Sequence, residues 1–65
     1  MKVDRMYLTE LIMRHQWEVR DVLDSTHPDR DACGVYGVLA TLVEDEYGMT
    51  GRETRRFLDV VTKGV

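Results

Sequence analysis

A chain of 65 residues holds one domain, and a fold of that size buries only about 60% of the surface its unfolded chain exposes, so the core is marginal. A single cysteine, Cys33, excludes an intramolecular disulfide, and two histidines with one thiol lack zinc-ligand spacing, which leaves tight helix packing or oligomerisation to supply the stability such small folds need. Apolar residues at 43% exclude a disordered tail, and a net charge of −3 argues against a general polyanion binder, whose affinity comes from neutralising phosphates.

No apolar run approaches membrane-spanning length, and the amino terminus lacks the apolar stretch and cleavage site of a secretory signal. With one unpaired cysteine, the expected home is the reducing cytoplasm. The chain runs from Met1 to a helix-stop signal, so a free-standing small protein is expected.

Three helices are predicted, over about 4–24, 28–47 and 51–63, forming one all-α domain across residues 1–65. In the first, Tyr7, Leu8, Leu11, Ile12, His15, Val19, Val22 and Leu23 recur at helical intervals and span an arc of roughly 160°. Asp4 is placed to cap it, because its carboxylate can accept an amide hydrogen bond from the first turn. The second opens where Thr26 or His27 flanks Pro28, a residue suited to the first helical position. Ala32, Val35, Tyr36, Leu39, Val43 and Tyr47 form its apolar stripe, and Gly48 sits where a left-handed residue ends a helix. The third starts with the capping box Thr50-Gly51-Arg52-Glu53, turns Phe57, Leu58 and Val61 to one face, and stops at Lys63 and Gly64.

The first helix carries a second stripe, Met6, Glu10, Met13 and Trp17, well away from its main apolar arc. Either both remaining helices cover it, or it faces another protein or a second copy, since methionine and tryptophan are enriched at interfaces. In the second helix Gly34 and Gly37 each cost about 1 kcal/mol relative to alanine. With Cys33, Ala40 and Thr41 they make a small-residue flank at which another backbone could approach closely, from within the chain or from a second copy. Met6, Glu10, Met13, Trp17, Gly34 and Gly37 are therefore the candidate protein-interface residues, with a protein partner and a homo-oligomer as expected company.

Arg52, Arg55, Arg56 and Lys63 lie opposite Phe57, Leu58 and Val61 and form the one basic surface of an acidic chain, with Asp59 as a local salt partner. Val43, Tyr47, Gly48, Met49 and Phe57 sit where a helix-turn-helix wants apolar or glycine residues, so this segment resembles helix-turn-helix domains over about 20 residues. The resemblance implies a DNA-reading third helix with those four cations as its contacts. Glu44 departs from the pattern where a small residue usually lets the helices cross, and Thr54 stands in for a core aliphatic. His27-Pro28-Asp29 is similar to the tripeptide of J-domain co-chaperones, but Glu18, Asp21 and Asp24 precede it where that family has a basic helix, and a helix start accounts for the same residues.

Nothing points to catalysis. Cys33, His15 and His27 form no nucleophile motif, no glycine loop is built for phosphate, and no residue set implies a metal or cofactor. Cys33 is expected as a small apolar core residue. The reading is a non-catalytic, protein-binding regulator, adaptor or inhibitor, acting through helical surfaces as a homodimer, with DNA reading by the third helix as the alternative.

Overall fold

The computed structural model describes residues 4–63, and every regular element among them is helical. There are four helices rather than three: α1 (Arg5–Arg14), α2 (Gln16–Asp24), α3 (Arg30–Tyr47) and α4 (Gly51–Lys63). Gly64, expected to stop the last helix, lies outside the described residues.

The extra boundary falls at His15, which breaks the helix expected over 4–24. Its φ of −110° and ψ of 27° leave the helical basin, and its N–H is shared between the carbonyls of Leu11 (3.2 Å) and Ile12 (3.1 Å). No glycine or proline causes this. His15 lies on the same line as the buried Leu8, Ile12 and Val19, where a straight helix would press a polar ring into the core. The bend leaves the ring half-buried with Nδ1 3.5 Å from Glu18 Oε1, and both halves then pack on α3 and α4. The backbone loses little, since the Val19 N–H still donates to the His15 carbonyl at 3.1 Å.

The remaining ends follow their local chemistry. Asp4 Oδ1 accepts from the Met6 N–H at 2.8 Å and starts α1. Gly48 takes φ 64° and ψ 32°, the left-handed turn that closes α3. Thr50 and Glu53 complete the capping box in both directions, Glu53 N–H to Thr50 Oγ1 at 3.2 Å and Thr50 N–H to Glu53 Oε1 at 3.0 Å. The start of α3 differs from expectation. Pro28 precedes the helix, and Asp29 is its cap, accepting from the Asp31 N–H at 3.0 Å while its own N–H donates to Asp21 Oδ2 at 2.9 Å. The Asp21 carboxylate thus ties the end of α2 to the residue that caps α3, which fixes the boundary beyond the proline.

Leu8, Ile12, Val19, Leu39, Val43 and Leu58 form the buried cluster, with Ala32 also enclosed. Around it Tyr47 stacks obliquely on Phe57, ring centroids 5.2 Å apart, and Arg5 lies 4.9 Å over the outer face of Tyr47 while pairing with Glu46 at 3.5 Å. Those contacts pin the start of α1 to the end of α3. Two threonines are also buried: Thr62, unforeseen as core, donates to the Leu58 carbonyl at 2.8 Å, whereas Thr54, at the position expected for a core aliphatic, has an Oγ1 without a hydrogen-bond partner among the described residues. Thr54 therefore fills the aliphatic position at which the sequence departed from the helix-turn-helix pattern, with a buried hydroxyl that no described residue bonds.

Two stability predictions follow from this core. Thr54→Val, of equal shape and without the hydroxyl, should raise unfolding free energy by about 1–2 kcal/mol, while Leu58→Ala should lower it by about 3 kcal/mol, both read from urea titration. A destabilising Thr54→Val would mean that the hydroxyl has a partner.

Candidate docking surfaces

Each residue singled out in the sequence now has a place, and the first question is what covers the methionine-tryptophan stripe. Met6 is 75% exposed and Trp17 77% exposed, Glu10 is exposed as well, and only Met13 is half-buried. The possibility that the other helices cover this stripe is thus overturned for its two ends. The bend at His15 further separates it, placing Met6, Glu10 and Met13 on α1 and Trp17 at the first turn of α2.

The glycine flank of α3 is also uncovered. A Cβ placed on Gly34 or Gly37 would meet nothing within 4 Å, so no helix of this chain crosses there. The intramolecular close approach is corrected accordingly, and the conformational cost of the two glycines has no return within the monomer. Cys33 is exposed rather than part of the core. The reason is the composition of α3: from Ala32 to Val43 no residue is charged, so apolar and small side chains surround the helix and only three of its positions, Ala32, Leu39 and Val43, are buried. At 100° per residue those three share one side, and Gly34, Gly37 and Thr41 fall within about 40° of the opposite direction.

Thr41 belongs to this uncharged face more than its name suggests. Its hydroxyl donates back to the Gly37 carbonyl at 2.9 Å, which satisfies the polar group within the helix. Beside it Val38 is 61% exposed. Two shallow hollows flank Val38 and share Gly34. One, of about 300 Å³, runs from Leu11 and His15 to Val35 and Leu39; the other, of about 420 Å³, is bounded by Cys33, Gly37, Thr41 and Leu42.

The basic surface has a different design. Arg52, Arg55, Arg56 and Lys63 are all exposed on α4 and line one hollow of about 400 Å³ with Arg20, Leu23, Asp24 and Asp59. Asp59 makes its salt bridge with Arg20 instead, while Lys63 and Arg55 act on it only through the field they share. Arg20 Nη1 from α2 donates to Asp59 Oδ1, and its Nε and Nη2 grip Asp24 at 3.1 and 2.5 Å, a fork that matches guanidinium to carboxylate geometry. The guanidinium hydrogen bonds hold Asp59 below the usual carboxylate range, and those same two acids raise Arg20. Arg55 instead lies near the half-buried Tyr36 phenol, which burial pushes up and Arg55 pulls back down. Among the described residues no salt bridge holds Arg52, Arg55, Arg56 or Lys63. Five cations against two carboxylates make this hollow positive in an acidic protein.

The sign of the Asp59 shift sets an acid response. A carboxyl whose folded pKa is depressed contributes stability above its unfolded pKa and loses it as pH falls through the folded value. Asp59→Asn should therefore lower the thermal midpoint at pH 7, and the gap to wild type should narrow as pH falls below the ordinary carboxylate range; a gap that stays constant down the acid titration would show that the pair contributes no net stability.

Within the described residues, no group of three or more His, Cys, Asp or Glu side chains is placed to hold a metal ion, and no helix is long and apolar enough to cross a membrane. Comparisons with protein-family models, with curated proteins and with solved structures find no match to this chain.

Proposed function

We propose that this chain is a small non-catalytic binding protein, a regulator, adaptor or inhibitor that docks through its helical surfaces and self-associates. The observation that carries the reading is the exposure of Trp17 and Met6 on a fold too small to leave large apolar side chains unused without consequence. Tryptophan offers a rigid, amphipathic contact area, and its truncation at an interface centre commonly costs more than 2 kcal/mol. Glu10 within the same stripe supplies a polar rim.

The chain has one tryptophan, so its fluorescence reports this surface alone. On association, emission should shift to the blue as the indole leaves water. Trp17→Ala should keep the helical circular dichroism of wild type while weakening association about 30-fold. An emission maximum that stays that of free indole, together with unchanged pull-down and sedimentation mass for Trp17→Ala, would sink the reading.

A specific observation favours DNA reading as the second possibility: the four cations of α4 have no ion partner among the described residues and follow a capped turn after α3. The acids Glu44, Asp45 and Glu46 at the end of α3 oppose it. If the surface takes nucleic acid, affinity should fall steeply with salt, and joint Arg55→Ala and Arg56→Ala should reduce the log–log salt slope by about 2. Salt-insensitive or absent binding would dismiss it.

A further inference from the structure

We infer that the uncharged outer face of α3 is the seat of a second copy of this chain, packed antiparallel, with Arg30 of each copy set against Asp45 of the other. This deepens the self-association proposed above and rests on it.

The inference begins with an electrostatic mismatch. The last turn of α3 carries Glu44, Asp45 and Glu46 and no basic residue, although the carboxyl end of a helix is already the negative end of its macrodipole. Arg5 pairs with Glu46, but neither Glu44 nor Asp45 has a salt bridge among the described residues. At the other end of the helix Arg30 occupies the first helical position, where the macrodipole is positive and a cation is equally misplaced. Asp29 and Asp31 flank Arg30 and Arg5 holds Glu46, which leaves Asp45 without a salt bridge among the described residues.

Between these ends lies the stretch from Ala32 to Val43 without a charge, whose outward side consists of Gly34, Gly37 and Thr41 with Val38 at its edge. Arg30 and Asp45 fall on that same outward side, within about 40° of its centre, and both are exposed. The centre line of this face thus runs from Arg30 through an uncharged middle to Asp45. A parallel copy would set acid on acid. An antiparallel copy brings Arg30 of one α3 to Asp45 of the other and opposes the two helix dipoles.

A two-fold axis passing between Gly37 and Val38 makes the register self-consistent. It places Arg30 opposite Asp45, Gly34 opposite Thr41 and Gly37 opposite Val38. The protruding valine of each copy then packs over the glycine of the other. The absence of any atom within 4 Å of a Cβ at Gly34 or Gly37 leaves this path open. Asp31 lies at the rim of the same face, where water screens it from the acids opposite.

Sedimentation equilibrium of the full chain over a concentration series tests the pairing through charge exchange. Wild type should dimerise. Arg30→Asp and Asp45→Arg should each weaken the dimer at least tenfold, and the joint variant should return to within a few-fold of wild type. Each single change suits its own helix end, so helical circular dichroism should be retained and loss of mass cannot be ascribed to unfolding. Gly37→Leu should also abolish the dimer with helicity intact. Single variants that dimerise like wild type, or a joint variant as weak as either single, would overturn the pairing. A wild-type monomer at every concentration would overturn it and the self-association reading together. A dimer lost on Trp17→Ala but indifferent to residues 30 and 45 would overturn the α3 pairing alone.

Discussion

Six apolar side chains from four helices meet in a single cluster, Leu8 and Ile12 from α1, Val19 from α2, Leu39 and Val43 from α3, and Leu58 from α4. Each such burial is worth about 1.5–3 kcal/mol, and the sum must offset the conformational entropy of the whole chain. Because so few residues can reach this cluster, every other feature is arranged around it. The helix bends at His15 so that Leu8, Ile12 and Val19 can all enter while a polar ring stays out. The Arg20 fork, the Arg5–Tyr47 contact and the carboxylate ties at Asp29 then lock the periphery with polar interactions, where more apolar burial is geometrically out of reach.

The same limit explains why apolar surface is left over. A four-helix arrangement of this length offers each helix one inward side, yet α1 and α2 carry a second stripe and α3 is uncharged for most of its circumference. Those surfaces are unused by the monomer. They differ in chemistry from the α4 hollow, which is wet, cationic and partly neutralised by Asp24 and Asp59. The molecule therefore presents two kinds of surface, one suited to apolar association and one to anionic groups, on different helices.

Much of the fold was legible because it rests on local chemistry. Asp4, Gly48 and the Thr50–Glu53 box act within a few residues of themselves, so the three boundaries they set fall where the residues predict. The break at His15 was not legible, since the apolar period runs through it without glycine or proline and only packing against α3 and α4 makes the bend favourable. Asp29 displaced Pro28 as the start of α3 for a similar reason: its N–H is held by Asp21, eight residues earlier. Thr62 was hidden by its polarity, and Cys33 was misplaced because an uncharged helix does not reveal which side faces inward. For the candidate surfaces, the helix faces were legible and their coverage was not. Periodicity placed Met6, Met13, Trp17, Gly34 and Gly37 off the main stripe, but whether a neighbour lies over them is a property of the assembled helices. The Arg20–Asp59 pair, 39 residues apart, had no signal in spacing at all.

The central claim is that a core this small is completed by association through its uncovered helical surface. Its most direct test is the thermal midpoint of the full chain measured over a thousandfold range of concentration. If folding is linked to self-association, the midpoint must climb with concentration by mass action. A midpoint that does not move, with a sedimentation mass of one chain throughout, would contradict the account.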